Sequence, residues 1–269
     1  MDGSLVNWED AKVHVLSHAL HYGSGVFEGI RAYETKVGTA VFRLEDHIRR
    51  LFRSAHLYHI KVPFSPEDLI AGVKDTIRAN GLTHCYIRPL VYLGYGEMGL
   101  NPFDVPVNVS IATWPWGAYL GEDALEAGVR VKVSSWKRND QNSLPPSAKA
   151  TGQYINSILA KMEAIHAGYD EAIMLNQRGE IADGSGENVF MVRGRQLLTP
   201  PLSAGCLGGI TRDSVLTLAT DLGYDVREEN LVRSDLYHAD EGSSRERQRR
   251  LPRFARLTTV RSARAFVVR

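Results

Sequence analysis

The chain has 269 residues, enough for one large domain or two medium ones, and its hydrophobic content of 43% and charged content of 23% are typical of globular proteins. The formal net charge of +1 is unevenly distributed, because residues 242–269 contain nine arginines and one acid, which leaves −7 for residues 1–241. An acidic body argues against nucleic acid as the main partner.

The two cysteines, Cys85 and Cys206, are too few and too far apart for a disulfide framework or a cysteine metal site. His14, His18 and His21 form a cluster, but no carboxylate falls at ligand spacing, so no metal site is predicted. No apolar run approaches the ~20 residues that span a bilayer, and the N-terminus lacks a signal-peptide core. These features predict a cytoplasmic protein without a membrane segment.

The first half of the chain predicts short strands, two helices and two longer strands. Arg49, Arg50 and Arg53 lie off the apolar stripe of the first helix. Either all three form a solvated basic face, or one of them turns inward to bind an anion. Ser65 is expected to cap the second helix and Gly81 to end it. The predicted elements are short strands within 1–15, hairpin strands at 27–33 and 40–43, helices at 44–58 and 65–80, and strands at 85–93 and 107–113.

An aromatic, turn-rich segment begins at Trp114 and is interpreted as the connection between two domains. The predicted limits are 1–113 for a small N-terminal domain, 114–125 for the loop, 126–241 for a larger C-terminal domain and 242–269 for an atypical tail. The helix predicted at 153–166 has an apolar stripe expected to face inward: Ile155, Ile158, Leu159, Met162 and Ile165. The remaining predictions are a helix at 211–222 and strands at 128–134, 171–175, 188–192 and 196–199.

Three short stretches carry candidate chemistry. Lys149 lies among small residues before a helical segment, so it is a solvated surface lysine or a partly desolvated amine able to form a Schiff base. The run Leu207-Gly-Gly-Ile-Thr-Arg212 enters a helix with Thr211 as expected N-cap, which makes it a plain glycine turn or an anion site of exposed amides. The run Asp183-Gly-Ser-Gly-Glu187-Asn188 holds two carboxylates in a turn, although Asp-Gly is also common in hairpins.

A lysine, an anion-binding helix terminus and a carboxylate together meet the requirements of pyridoxal 5'-phosphate. The lysine makes the imine, the helix N-terminus and an arginine hold the phosphate, and the acid pairs with the pyridine nitrogen. This pairing keeps the nitrogen protonated, so that the ring can accept electrons as the substrate Cα–H bond breaks.

Eight motifs then follow one another in an order that can be compared with known families: Trp8-Glu-Asp-Ala-Lys-Val, His18-Ala-Leu-His-Tyr-Gly, Val26-Phe-Glu-Gly-Ile-Arg, Tyr86-Ile-Arg-Pro-Leu, Pro115-Trp-Gly-Ala-Tyr-Leu-Gly, Ala148-Lys-Ala, Gly184-Ser-Gly-Glu-Asn and Gly209-Ile-Thr-Arg. Together they resemble the branched-chain aminotransferases, which are class IV, fold-type IV pyridoxal phosphate enzymes. The resemblance extends from about residue 3 to residue 241.

The resemblance implies a role for each matching position. Lys149 resembles the Schiff-base lysine and the base that moves the substrate proton, and Arg50 resembles the arginine that binds the cofactor phosphate. Tyr154 resembles the tyrosine that bonds the cofactor's phenolic oxygen, and Asp183 the acid at the pyridine nitrogen. Four more residues match positions that bind the cofactor: Leu207, Gly209, Ile210 and Thr211. Tyr86 and Arg88 match the positions that bind substrate carboxylates. The positions of the apolar substrate pocket are matched by Tyr22, Phe27, Trp116 and Tyr119.

The resemblance also implies an α/β (α+β) fold of two domains with the cofactor between them, and a homodimer or higher homo-oligomer. The implied reaction transfers the amino group of leucine, isoleucine or valine to 2-oxoglutarate, so the partners are small amino acids and 2-oxo acids. An apolar pocket discriminates by only about 0.8 kcal/mol per methylene, so these three amino acids should not be sharply separated. The alternatives are a D-amino-acid aminotransferase, an aminodeoxychorismate lyase or an inactive, C-terminally altered paralogue; Tyr86-Ile-Arg88 and the Trp116 loop favour the branched-chain enzymes.

Two departures from the family pattern matter. Asp183 stands where the class usually has glutamate, one methylene longer, so either the cofactor shifts or a water bridges the gap. After Glu241 the family's Gly-Thr-Ala-Ala-type turn is replaced by the arginine-rich residues 242–269. A shifted reading frame is our hypothesis for this tail, and a nucleic-acid-binding extension is the alternative.

Overall fold

The computed structural model describes residues 1–116 and 129–239, together with the backbone of 265–268. The chain divides into two compact units, the first made of Met1–Trp116 with Ala148–Tyr154 and the second of Gly117–Ser147 with Ile155–Arg269. Both units combine helices with sheets, which agrees with the predicted α/β class. In the part of the chain that is described, no helix is long and apolar enough to cross a membrane.

A five-stranded sheet forms the centre of the first unit. Its strands are β1 (Gly25–Phe27), β2 (Ile30–Thr35), β3 (Gly38–Val41), β4 (Cys85–Leu93) and β5 (Val107–Trp114). Strand β4 pairs antiparallel with β5 along its length, and with β1 and β2 one after the other, while β2 continues to β3. The predicted hairpin is confirmed as β2 and β3, but its first strand begins at Ile30 and not at Phe27, because Glu28 and Gly29 leave the ladder.

Three helices belong to the first unit: α1 (His18–Tyr22), α2 (Leu44–Leu57) and α3 (Pro66–Ala79). The helices predicted at 44–58 and 65–80 are confirmed. Ser65 caps α3 as expected, because its hydroxyl accepts from the Asp68 amide at 3.1 Å while its own amide donates to the Asp68 carboxylate at 2.9 Å. Gly81 follows the helix with a φ of +60°, which is the left-handed conformation that glycine adopts without strain.

The short strands predicted in the first fifteen residues are wrong. That segment holds a single 3₁₀ turn, Trp8–Asp10, and none of its residues belongs to a strand. Asp2 fixes the segment instead, because its carboxylate accepts the Val109 amide at 2.7 Å and its own amide donates to the Val109 carbonyl at 2.8 Å. Two hydrogen bonds at a single residue therefore hold the segment, in place of the continuous backbone hydrogen-bond ladder that a strand would need.

The second unit contains two sheets. In one, β6 (Val131–Val133) runs parallel to β7 (Glu171–Leu175), which pairs antiparallel with β8 (Ile181–Gly184). The other has the order β11-β10-β9-β12, with its strands at Asn188–Arg193 (β9), Gln196–Thr199 (β10), Asp225–Glu228 (β11) and Ala265–Val268 (β12). Strand β12 runs parallel to β9 and is the described part of the predicted tail, while 240–264 and 269 lie outside the described residues.

Helix α4 (Tyr154–His166) confirms the predicted helix but presents the opposite face from the one expected. Its buried residues are small, namely Ser157, Ala160 and Ala164, and the two alanines pack against Ala172 and Met174 of β7. Small side chains allow the helix axis to approach the sheet closely, so the larger apolar residues remain outside. The expectation of an inward stripe is wrong for four of its five residues, which are 49–63% exposed: Ile155, Ile158, Met162 and Ile165. The fifth, Leu159, is half-buried.

Two further helices follow in the second unit, α5 (Ile210–Asp221) and the short α6 (Asp235–His238). The prediction of a helix near 211–222 is thus confirmed. Phe190, Val192, Leu197, Val215 and Ala219 form a core cluster that joins this helix to β9 and β10. This packing fixes the N-terminus of α5 beside the ends of the two strands.

Candidate active site

Lys149 is buried, with 4% of its surface exposed, so it is not a solvated surface lysine. Its backbone is held at both polar groups: the Lys149 amide donates to the Ser54 hydroxyl at 3.0 Å, and its carbonyl accepts from the Phe27 amide at 3.0 Å. The segment that follows is anchored by a close approach of Gly23 and Gly152, where a Cβ on Gly23 would lie 2.7 Å from the Gly152 Cα. Glycine is required at that contact because any side chain there would collide with backbone.

The Lys149 amine faces an aromatic environment. Its Nζ donates a short hydrogen bond to the hydroxyl of Tyr154. It also lies 4.8 Å from the ring centroid of Phe27 and 5.0 Å from that of Tyr154. A buried amine over two rings, with a phenol as hydrogen-bond partner, is suited to covalent chemistry with a carbonyl compound.

Arg50 is the arginine of α2 that turns inward, since it is buried while Arg49 and Arg53 are exposed. Its guanidinium binds the buried carboxylate of Glu28 through two hydrogen bonds of 2.7 Å each. Burial pushes the pKa of Glu28 up, but the charge and hydrogen bonds of Arg50, helped by His47, outweigh it and hold that pKa well below its usual range. The pair is therefore ionised, and Arg50 keeps a fixed orientation.

The predicted substrate-binding residues form an aromatic group around Arg88. The Arg88 guanidinium carbon lies 4.7 Å from the ring centroid of Phe27 and 5.2 Å from that of Tyr86, whose hydroxyl accepts from Arg88 at 3.2 Å. The ring of Trp116 meets that of Tyr86 edge-on at 4.5 Å. Arg31 donates to the Trp116 carbonyl at 3.2 Å and so fixes the start of the aromatic loop.

One predicted pocket residue, Tyr22, does not join this group. Tyr22 is 45% exposed at the end of α1, where its ring lies 4.5 Å from that of His18. Tyr119 falls in 117–128, outside the described residues. The sequence could not show that Tyr22 lies apart, because the motifs report matching positions and not the direction of a side chain.

In the second unit, Asp183 lies at the end of β8 with 3% of its surface exposed. One carboxylate oxygen accepts from Asn188 Nδ2 at 3.3 Å, and the other accepts from the Leu207 amide at 3.4 Å. An Arg138 Nη2 is 3.9 Å from the same second oxygen, close enough for a charge interaction. Groups from three different segments of the chain thus hold the Asp183 carboxylate.

The N-cap of α5 is Gly209 and not Thr211, so that prediction is wrong. A Cβ on Gly209 would lie 2.0 Å from the Oδ1 of Asn188, whose Nδ2 donates to the Leu207 carbonyl at 2.9 Å. Because glycine leaves room for Asn188, the helix begins at Ile210 and Thr211 belongs to its first turn. The first-turn amides and the positive end of the helix dipole favour an anion there.

Sequence reasoning missed four residues that support the predicted ones: Glu28 and His47 beside Arg50, and Asn188 and Arg138 beside Asp183. One signal was present, since His47, Arg50 and Ser54 recur at the spacing of one helix face and are all buried in α2. That spacing places the three polar residues on one face of α2, and the structure buries this face.

Comparison with known proteins identifies what this chain is similar to. Residues 25–242 match the family described as Amino-transferase class IV. A branched-chain-amino-acid aminotransferase of Escherichia coli (strain K12) is 50% identical over 241 residues, which cover 89% of this chain and 78% of the relative.

Solved structures agree with the sequence comparison. The crystal structure of an Escherichia coli branched-chain amino acid aminotransferase has a TM-score of 0.87 at 50% identity, covering 89% of this chain and 79% of that chain. The branched-chain aminotransferase of the thermophilic archaeon Thermoproteus uzoniensis with norvaline has a TM-score of 0.85 at 49% identity, covering 89% of this chain and 80% of that chain. A further branched-chain amino acid aminotransferase, of a T.th. strain and complexed with N-(5'-phosphopyridoxyl)-L-glutamate, has a TM-score of 0.85 at 47% identity, covering 89% of this chain and 78% of that chain.

Proposed function

Because the chain belongs to the class IV aminotransferases, we propose that it transfers the amino group of branched-chain L-amino acids to 2-oxoglutarate with pyridoxal phosphate as cofactor. The products are branched 2-oxo acids and glutamate. The observation that carries the proposal is the buried amine of Lys149, hydrogen-bonded to Tyr154 in a chain 50% identical to a branched-chain aminotransferase. When bound, the cofactor supplies an electron sink for the bond that breaks at the substrate Cα.

Each unit contains residues whose chemistry suits pyridoxal phosphate. In the first unit, Lys149 would hold the cofactor through its amine and would serve as the base for the proton at the substrate Cα, while Tyr154 orients that amine through its hydroxyl. Arg50 binds the phosphate with a guanidinium that Glu28 holds in place. Ring contacts and burial keep water from the amine.

In the second unit, the first-turn amides of α5 at Ile210 and Thr211 would bind the phosphate, and Gly209 leaves room beside them for the Asn188 side chain. Leu207 contributes by holding the Asp183 carboxylate through its amide. Asp183 would bind the pyridine nitrogen of the cofactor, and hydrogen bonds from Asn188 and Leu207 hold its carboxylate in place.

Substrate binding divides between charge and apolar surface. Arg88 and Tyr86 bind the substrate carboxylates, and Phe27 and Trp116 provide apolar contact for the aliphatic side chain. Tyr22 and Tyr119 remain proposed members of the same pocket. Such a pocket gains about 0.8 kcal/mol per buried methylene, so leucine, isoleucine and valine are all accepted.

An absorbance spectrum with and without L-leucine tests the proposal. The unmodified chain with added pyridoxal phosphate should show the band of the lysine-bound cofactor, and L-leucine should remove it. Lys149→Ala should show neither, whereas Lys74→Ala, which changes an exposed lysine of α3, should behave as the unmodified chain. Turnover of D-alanine without turnover of L-leucine would instead indicate a D-amino-acid aminotransferase, and no band at all would indicate an inactive paralogue.

The chain also forms a homodimer or higher homo-oligomer under this proposal. The support is the apolar stripe of α4, whose members Ile155, Ile158, Met162 and Ile165 are about half exposed. Contiguous exposed apolar surface commonly marks a protein interface. Size-exclusion chromatography should shift Ile158→Lys toward the monomer but leave Val37→Lys unchanged, since Val37 is a 98% exposed residue of a hairpin. An unshifted Ile158→Lys would remove this support.

Three further expectations complete the proposal. The limits 1–113, 114–125 and 126–241 remain our domain division. Two buried cysteines that form no disulfide support a cytoplasmic location. The family match ends at residue 242, where the composition becomes arginine-rich, which supports a shifted reading frame in 242–269. The coding DNA tests this idea, because another frame should restore a Gly-Thr-Ala-Ala-type segment after the codon for Glu241.

A further inference from the structure

A buried carboxylate contacts the arginine proposed to bind the cofactor phosphate. Glu28 is 0% exposed and lies in the break between β1 and β2. Its Oε1 accepts from Arg50 Nε and its Oε2 from Arg50 Nη2, both at 2.7 Å. Two parallel hydrogen bonds fix the plane of a guanidinium as well as its distance, which a single contact does not.

His47 in turn holds Glu28. Its Nδ1 is 2.8 Å from Glu28 Oε2 and, because an ionised carboxylate only accepts, the ring nitrogen is the donor. Burial lowers the pKa of His47, although its hydrogen bond to Glu28 acts in the opposite direction. His47 lies one turn before Arg50 on α2, so both side chains reach the carboxylate from one helix face.

The same short segments also position Lys149. The Phe27 amide binds the Lys149 carbonyl, and the adjacent residue, Glu28, binds Arg50. On α2 the Ser54 hydroxyl, one turn beyond Arg50, accepts from the Lys149 amide. The end of β1 and one face of α2 therefore set the orientation of both residues.

We propose that Glu28, held by His47, is a positioning residue that fixes the Arg50 guanidinium for the phosphate of the cofactor. The inference rests on the proposed function, because it takes Arg50 as the phosphate ligand. Charge alone predicts that Glu28 weakens phosphate binding, since a carboxylate next to a phosphate site repels the phosphate. The two effects differ in sign, and removal of the Glu28 charge separates them.

The test measures phosphate preference, defined as the dissociation constant of pyridoxal divided by that of pyridoxal 5'-phosphate. The full chain is freed of cofactor and titrated with each compound, using the absorbance of the lysine-bound form. Glu28→Gln should lower the preference about tenfold, which corresponds to about 1.4 kcal/mol. Pyridoxal lacks the phosphate, so its own dissociation constant should stay within about twofold and report that Lys149 is intact.

Matched variants separate positioning from folding. His47→Asn retains a donor near the ring Nδ1 and should keep the preference within about twofold, whereas His47→Ala should lower it in the direction of Glu28→Gln. In an Arg50→Gln background, Glu28→Gln should have no further effect, because the residue that it positions is gone. If Glu28→Gln does not fold, since it leaves Arg50 buried without its counter-charge, the two His47 variants decide.

The outcomes distinguish this inference from the proposed function. If the unmodified chain shows no phosphate preference, the phosphate role of Arg50 and the inference both fail. If the unmodified chain prefers the phosphate compound but Glu28→Gln keeps or raises that preference, the inference alone fails. An equal loss with His47→Asn and His47→Ala would also overturn it, because the donated hydrogen bond would then be irrelevant.

Discussion

Replacement of Gly209 by alanine should destabilise the second unit by about 3 kcal/mol. The new Cβ would lie 2.0 Å from Asn188 Oδ1, so the Asn188 side chain must move. Moving it breaks the hydrogen bonds from its Nδ2 to the Leu207 carbonyl at 2.9 Å and to Asp183 Oδ1 at 3.3 Å, at about 1 kcal/mol each. Alanine is also a poorer N-cap than glycine by roughly 1 kcal/mol.

The matched control is Gly208→Ala, one residue earlier. A Cβ there would meet the two Leu202 methyl groups at 3.9 Å, which is ordinary van der Waals contact. Thermal unfolding of the two variants should therefore differ by about 6–12 °C, at about 2–4 °C per kcal/mol for a domain of 150–250 residues. Cofactor affinity should fall in Gly209→Ala alone. Melting temperatures within about 1 °C of each other would refute the reasoning, because Asn188 would then have moved at no cost.

Burial raises the pKa of Glu163, but hydrogen bonds from Lys132 and neighbouring serine groups outweigh it and set that pKa at about 2. The ionised carboxylate therefore stabilises the fold above its ordinary pKa, and this stabilisation is lost as the pH falls. Glu163→Gln should lower the free energy of unfolding in urea by about 1 kcal/mol at pH 7 and by less between pH 5 and pH 3. An equal loss of unfolding free energy at every pH would contradict this. Ser65→Ala should lower the free energy of unfolding by about 1 kcal/mol in the same assay, because the Asp68 amide loses the Ser65 hydroxyl as its acceptor, whereas Ser65→Asp should change it little. Tyr154→Phe should lower the turnover number about tenfold with an unchanged circular dichroism spectrum, and full activity would exclude a role for the hydroxyl.

The fold class and most elements could be predicted from the sequence because their signals are local. Ser65, Pro66 and Gly81 mark the limits of α3 by their own conformational preferences, and the structure agrees. The resemblance to the class IV aminotransferases is likewise confirmed by the family match, because eight ordered motifs carry far more information than any one of them.

Predictions failed where tertiary packing decided the outcome. The apolar stripe of α4 has the periodicity of a buried face, yet Ala160 and Ala164 are buried and Ile158 is not. The periodicity of apolar residues predicts that a helix has an apolar and a polar face, but residue size decides which face can approach a sheet closely. Similarly, Thr211 is a good N-cap by residue type, but space for Asn188 exists only if the cap is Gly209.

The sequence predicted the residues proposed to bind the cofactor, but it did not predict the residues that hold them in place. Lys149 belongs to one of the eight motifs, and Arg50 was assigned by its matching position. Glu28 and Asn188 also belong to motifs, but a motif does not state which side chain each residue contacts. The partner of Glu28, for example, is Arg50, 22 residues away. No local pattern encodes such a contact, so only a structure reveals it.

The anchoring of residues 148–154 has a consequence for the order of events during synthesis. The Thr151 hydroxyl donates to the Gly23 carbonyl across 128 residues. A nascent chain that has reached only Trp116 therefore lacks one segment of its first unit, which must wait while part of the second unit emerges from the ribosome. Because closing so long a loop is slow, docking of the Lys149 segment should be a late folding step. Reactivity at this lysine would then appear only once most of the chain has been made.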